Sequence, residues 1–151
     1  MSSSPIEAAI YYRLANTAAV TALVAVGSIK PIYMVQGLAA PYIVYSCDRG
    51  FEHQISGRSV DLGTATVTIE IATDSATGYA DAKAIASAVR DTLDGFVGTM
   101  GSGGSAVDVQ TCILESQVDA SQLNIGGGDA RTFIQVLSFS VGFTESVPTP
   151  S

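Results

Sequence analysis

Apolar residues recur along the first part of this chain at the spacing of a helix. The segment Ser4–Glu7 is a helix start, because its serine can cap, its proline suits the first helical position and its glutamate can complete a capping box. The apolar residues that follow at three- and four-residue spacing predict a helix over about Pro5–Ala15. A short helical turn is predicted after it, over Asn16–Val24.

The next part of the chain has the pattern of strands. Ile29–Val35 and Pro41–Cys47 predict two strands that are joined by a glycine-containing turn. Thr64–Thr73 alternates between apolar residues and threonines or a glutamate, which predicts a strand with one buried face and one wet face. The polar segment Asp48–Gly63 between them is interpreted as an extended hairpin arm or a long loop.

The second half of the chain predicts another helix and two more strands. An apolar stripe at helical spacing runs over Gly78–Asp94, and Gly95 supplies the stop at its end. Val107–Glu115 and Thr132–Thr144 alternate with the period of a strand. Two polar segments are interpreted as a glycine/serine turn and a polar loop: Gly98–Ser105 and Ser116–Arg131.

The order of these elements is helix, strand, strand, strand, helix, strand, strand. A run of strands between helices favours an α+β fold. We expect a mostly antiparallel sheet of four to five strands, packed by two main helices on one face. No linker divides the 151 residues, so we expect one domain over residues 1–151, with residues 1–3 and 145–151 frayed.

Composition adds an expectation about partners. Hydrophobic residues make up 47% of the chain and charged residues only 14%, whereas a soluble domain usually has about 25% charged residues. So little charge favours an oligomer subunit whose remaining apolar surface is covered by another protein. The alternative is a monomer whose many alanines and glycines raise the hydrophobic fraction.

The distribution of charge argues against two kinds of partner. The net charge is −7, and no basic residue lies between Arg90 and Arg131. A surface that binds nucleic acid phosphates needs clustered Lys and Arg, so sequence-specific nucleic acid binding is not expected. The longest uncharged runs are shorter than the roughly 20 residues of a membrane-spanning helix, so no membrane association is expected either.

The motifs of a catalytic, metal or cofactor site are missing from the sequence. Gly126–Gly128 is followed by a strand rather than a helix and has no Lys-Ser or Lys-Thr pair, so it does not predict a phosphate site. His53 is the only histidine, and Cys47 and Cys112 lack metal-ligand spacing. We therefore expect no catalytic residue, no metal, no cofactor and no enzymatic activity.

Seven charged or titratable residues are the candidates for contact with partners. Glu70 lies on the wet face of a predicted strand and is interpreted as an intersubunit salt-bridge partner. The others lie in or beside the two long polar segments, Asp48–Gly63 and Ser116–Arg131, which are long enough to become ordered on contact. The candidate interaction residues are Glu52, His53, Arg58, Glu70, Asp119, Asp129 and Arg131.

Five segments together carry a family resemblance. They are SPIEAAIYYRLANTAAVTALV at Ser4–Val24, PYIVY at Pro41–Tyr45, DGF at Asp94–Phe96 after the alanine-rich helix, VQTCILESQVD at Val109–Asp119 and TFIQVLSFSVGF at Thr132–Phe143. In the order and texture of these segments, over about Ser4–Phe143, the chain resembles the tail terminator (tail completion) proteins of siphovirus-type bacteriophages and prophages.

The resemblance implies a function and a set of partners. Members of this family look like compact α/β subunits that form a hexameric ring on the last ring of tail tube protein. Such a ring stops tube polymerisation and presents a surface to the head connector or stopper protein, while DNA passes through. The implied location is the virion tail or neck, and the host cytoplasm during assembly. The family has no catalytic residues to carry over, and Ser116–Arg131 departs from it in being glycine-rich.

Two other functions stay open at this point. The first is another neck protein of the same virion, with a head-closure or head–tail joining role, which only the partner would distinguish. The second, more remote, is a ligand-binding or regulatory domain on a ferredoxin-like sheet. That function needs a pocket with convergent polar groups, and the sequence predicts none.

Overall fold

The computed structural model of the chain describes residues 5–31, 41–52, 60–74, 78–101, 106–120, 122–123 and 131–146. Within these residues it has helices, a short 3-10 turn at Val26–Ser28, and strands. The helices are α1 (Pro5–Ala15), α2 (Ala18–Thr21) and α3 (Gly78–Leu93). The strands are β1 (Ile29–Pro31), β2 (Tyr42–Glu52), β3 (Val60–Asp74), β4 (Gly98–Met100), β5 (Val107–Asp119), β6 (Gln122–Leu123) and β7 (Arg131–Ser146).

All of these strands belong to one mixed sheet. Their order is β1-β2-β3-β7-β5-β4, and β6 pairs with β7 beyond the end of β5. The β1–β2 pair is parallel and the others are antiparallel. The central pair, β3 and β7, is aligned over its whole length, from Val60 opposite Ser146 to Asp74 opposite Thr132. The α+β class is confirmed, but the sheet has more strands than the four to five predicted.

The two strands predicted on either side of Gly37 are neighbours in the sheet. β1 runs parallel to β2, with Ile29 opposite Ile43. Apolar periodicity does not indicate whether neighbouring strands run parallel or antiparallel. The rest of the predicted Ile29–Val35 strand, and the turn itself, lie outside the described residues.

Two segments that were predicted as turn and loop contain strands. β4 lies in the predicted turn, and the predicted loop Ser116–Arg131 contains the end of β5 and all of β6. Both additions pair with a longer strand, β4 with β5 and β6 with β7. Strands of two or three residues have no readable alternation, so pairing determines them and sequence pattern does not.

The segment Asp48–Gly63 is a hairpin arm in the part that the structure describes. β2 continues to Glu52 and β3 begins at Val60, with Glu52 opposite Leu62. Residues 53–59 lie outside the described residues. At the other end of the chain, β7 continues to Ser146, so residues 145 and 146 belong to the last strand.

The core lies between the helices and one face of the sheet. Helix α1 has the bounds that were predicted, and α3 ends one residue earlier than predicted. Gly95, just after the end of α3, has a φ of +80°. This left-handed conformation is the one that glycine adopts at helix ends without strain. The fully buried residues of α3 include Ala82, Ala86 and Val89, and they face buried sheet residues such as Ile69 and Leu137. Among the described residues, no helix is long and apolar enough to cross a membrane.

The C-terminal end of α3 is anchored to both α1 and β5. The Arg13 Nε donates a hydrogen bond to the Thr92 carbonyl oxygen at 3.1 Å, and its guanidinium lies 4.3 Å from the centre of the Phe96 ring. The backbone N–H of Leu114 donates to Asp94 Oδ1 at 3.0 Å. These contacts satisfy a terminal helix carbonyl and fix the layer of helices over the edge of the sheet.

Candidate assembly surfaces

The sheet face opposite the helices, called here the open face, is the first candidate surface. Successive side chains of a strand point to opposite faces. In β3 the core-facing Ala65, Val67 and Ile69 are buried, whereas Thr64 and Thr66 are exposed. The predicted dry and wet faces of this strand are therefore confirmed, and the wet face belongs to the open face of the sheet.

The open face has two zones along the strand direction. The hydroxyl zone consists of serines and threonines that are paired across β2, β3 and β7: Ser46, Thr64, Thr66, Thr68, Ser138 and Ser140. The apolar band lies next to it and consists of Tyr42, Val44, Ala72, Ile134, Val136 and Val118. Val44 and Ala72 are fully buried, whereas the others are half-buried or, at Val118, exposed, so the band offers apolar surface mainly toward β7 and the β5 edge.

One acidic residue interrupts the apolar band. Glu70 is half-buried and lies between Val44 on β2 and Val136 on β7. Burial raises the pKa of the Tyr42 phenol, and the negative charge of Glu70 raises it further. The band is therefore a partly desolvated environment that contains a single carboxylate and one phenol.

The two edges of the sheet are the second kind of candidate surface. On one edge lies β1, whose Lys30 is opposite Val44. On the other edge, β4 covers only residues 107–109 of β5, and the end of α3 bonds to Cys112 and Leu114. Residues 115–118 are exposed, and no described strand pairs with them on the outer side. An open strand edge is a template for pairing with another chain.

The structure describes two of the seven predicted interaction residues with their side chains. Glu70 lies in the apolar band, and Asp119 is exposed at the end of β5. Asp119 is opposite Gln135 on β7, next to the Val136 that is opposite Glu70, so the two acids are two strands apart and on opposite faces. Glu52 and Arg131 are paired strand residues, of β2 and β7. His53, Arg58 and Asp129 lie outside the described residues.

Two residues of these surfaces were not predicted. Lys30 is half-buried at the β1 edge, and Val118 has 53% of its surface exposed at the β5 edge. The neighbouring sequence marks neither residue as a contact candidate, because a lysine before a proline and a valine among polar residues are common in any protein. Their position becomes visible only from the pairing register of the strands.

No three histidine, cysteine or acidic side chains of the described residues come together to hold a metal ion. Cys112 is buried, and the pKa of its thiol is raised from 9.0 to about 11, mainly by this burial and also by the negative charge of Asp94, against a smaller lowering by Arg13. A thiol with so high a pKa is a poor nucleophile at neutral pH.

Comparison with known proteins identifies the family. The family described as tail completion protein gp17 matches residues 8–110, about two thirds of the chain. The chain belongs to this family of tail completion proteins. The match begins within α1 and ends within β5. It includes all of β2, β3 and α3, only the first four residues of β5, and none of β7. Membership indicates a structural role in the tail or neck of a phage particle.

A solved structure has the same fold. A chain from the virion of a native gene transfer agent particle superimposes with a TM-score of 0.60. The similarity covers 91% of the tail completion chain and 94% of the other, at 24% sequence identity. Comparison with curated protein sequences finds no significant match.

Proposed function

We propose that this tail completion protein forms a ring at the head-proximal end of the tail tube. The ring ends polymerisation of the tube and provides the joint to the head connector. The observation that carries this proposal is the family match over residues 8–110, because it specifies completion of a tail. The fold shared with a chain of a gene transfer agent virion supports a place in a particle of this kind.

The surfaces of the subunit support self-association in a ring. A closed ring needs heterologous contacts, in which one patch of a subunit meets a different patch of the next. The sheet offers two different edges, and its open face adds an apolar band between them. The low charged fraction of 14% fits a chain that buries surface against copies of itself.

The proposal also names the partners. They are further copies of the chain in a hexameric ring, the tail tube protein and the connector or stopper protein. The hairpin arm that includes residues 48–63 and the β5–β7 connection within residues 116–131 make the contacts with tube or connector. The whole chain acts as one domain without enzymatic activity, in the host cytoplasm during assembly and then in the virion.

Deletion of the gene in the phage or prophage, followed by electron microscopy of the particles, tests this function. Tails longer than wild type, or normal heads with unjoined tails, support tail termination, and a plasmid copy of the gene restores normal particles. Full heads that leak DNA beside normal tails would instead indicate a head-closure protein, the alternative neck function. Unchanged particles would contradict both.

A further inference from the structure

The two edges of the sheet lie at the same level along the strands. Lys30 of β1 is opposite Val44, which is opposite Glu70. Glu70 is opposite Val136, and Val136 is opposite Val118 of β5. Lys30 and Val118 are therefore the two ends of one continuous row of residues on the open face.

The two edges also run in opposite directions. β1 is parallel to β2, and each of the next three pairs, β2–β3, β3–β7 and β7–β5, is antiparallel. It follows that β5 runs antiparallel to β1. A second copy of the chain, placed beside the first in the same orientation, brings its β1 next to β5 as an antiparallel neighbour, with no shift along the strands.

The charges at the two edges are complementary. Lys30 is the only charged residue of β1. β5 has no basic residue, and it carries exposed carboxylates at Glu115 and at Asp119, which follows Val118 on the opposite face of the strand. In a chain of net charge −7, a basic residue at one edge that faces acidic residues at the other favours this contact over contacts between acidic surfaces.

We propose that the β1 edge of one copy lies against the β5 edge of the next, so that the sheets of neighbouring subunits form one continuous surface around the ring. This inference rests on the proposed function and names the contact that closes the ring. Pro31 has no N–H, so the short β1 edge supplies few backbone hydrogen bonds. The contact depends instead on Lys30, whose aliphatic stem covers Val118 while its ammonium group reaches the carboxylate of Glu115.

Disulfide trapping in assembled particles tests the contact. The double variant Lys30→Cys/Val118→Cys is supplied to the deletion phage, and purified particles are oxidised and run on a non-reducing gel. We expect a ladder of covalent oligomers up to the full ring. Each single variant gives no ladder, because it has only half of the contact. The matched control is Lys30→Cys/Asp108→Cys, since Asp108 is also exposed on β5 but is opposite Thr99 of β4.

The outcomes separate this inference from the proposed function. Normal tails without a ladder, or with an equal ladder in the Asp108→Cys control, overturn the edge contact and leave the tail-completion role intact. Deletion particles that are unchanged overturn the proposed function itself.

A charge exchange keeps the inference testable if the cysteine variant does not assemble. Lys30→Glu places like charges at the contact and is expected to reduce the yield of completed particles by about tenfold or more. Lys30→Glu/Glu115→Lys exchanges the charges and is expected to restore most of the yield. Normal yield with Lys30→Glu alone, or no recovery in the exchanged variant, overturns the contact.

Discussion

Gly63 is required for space and not for backbone conformation. It is opposite Phe143 in the β3–β7 pair, and a Cβ atom at this position would lie 2.7 Å from Cζ of that ring. Phe143 is fully buried, so its ring has little room to move. The Phe143 ring therefore occupies the space that a side chain at position 63 would need.

Gly63→Ala is expected to lower the free energy of unfolding by roughly 1–3 kcal/mol, because it overpacks the core beside Phe143. Urea unfolding measures the difference. The matched control is Gly27→Ala, which adds the same methyl group where no atom lies within 4 Å. If the two variants have equal free energies of unfolding, contact with Phe143 is not the reason that position 63 is a glycine.

Cys112 gives the fold a dependence on alkaline pH. Its burial raises the pKa of the thiol from 9.0 to about 11, so the unfolded chain loses this proton first as the pH rises. Between these two values the unfolded state binds fewer protons than the folded state, and the free energy of unfolding falls with increasing pH. Below pH 9 this contribution to stability is fully present.

Cys112→Ala is expected to flatten the decrease in stability between about pH 9 and pH 11, although it lowers stability at pH 7 by removing buried atoms. Urea unfolding at a series of pH values, compared with wild type, isolates the contribution of this thiol from that of tyrosines and lysines. Parallel curves for the two proteins contradict the assignment.

The sequence pattern predicted part of the candidate contact surface and missed the rest for a physical reason. Glu70 was identified because strand alternation alone puts it on the wet face, and the structure confirms that position. Lys30 and Val118 were missed because they become ends of one row only through four strand pairings that are distant in sequence. Because these strand registers depend on the whole sheet, the sequence around a single residue does not reveal them.

At the scale of elements, the end of α3 is tied to β5 by one carboxylate. Asp94 Oδ1 accepts a hydrogen bond from the Leu114 N–H, and Gly95 N–H donates to the Cys112 carbonyl oxygen at 2.7 Å. These bonds occupy backbone groups of β5 just before its open edge begins. The ion pair of Asp94 with Arg90, at 3.7 Å on the surface, adds little.

Asp94→Ala is expected to lower the free energy of unfolding by about 1–2 kcal/mol, because it leaves a strand N–H without its charged acceptor. Amide hydrogen exchange at Leu114 should become faster in the same variant. Asp91→Ala is the matched control, since it removes an exposed carboxylate from the same helix. If both variants lose the same stability, the link between helix and strand has no energetic role.

The long elements were predictable and the short ones were not. Helical spacing predicted α1 and α3, and alternation predicted the central parts of β3, β5 and β7. The extra lengths of β2 and β3 lie in polar, glycine-containing sequence, where alternation gives no signal and the pairing of the two strands with each other defines them. The parallel direction of β1 depends on the path of the chain to β2, which apolar pattern does not report.

At the scale of the molecule, helices cover one face of the sheet and the open face carries an apolar band beside a hydroxyl zone. The ring proposal assigns the edge of this band to subunit contacts. Substitutions there should therefore affect assembly and leave folding nearly unchanged, which is the opposite of what core substitutions do.

Val118→Asp is expected to change the stability of the isolated chain by less than about 0.5 kcal/mol, because the residue is largely exposed, yet to reduce the yield of completed particles strongly. Thermal unfolding and particle counts by electron microscopy measure the two effects. Thr66→Asp places the same charge on an exposed residue of the hydroxyl zone and serves as the control. Equal particle yields for the two variants would show that the apolar band is not needed for assembly.

The decisive observation is where this chain lies in the particle. Tails purified from a head-defective phage are imaged by electron cryo-microscopy, and the end that would meet the head is reconstructed. We expect a closed ring of this chain on the last ring of tube protein. Tails that end in tube protein alone, with the chain found on the heads instead, would contradict it.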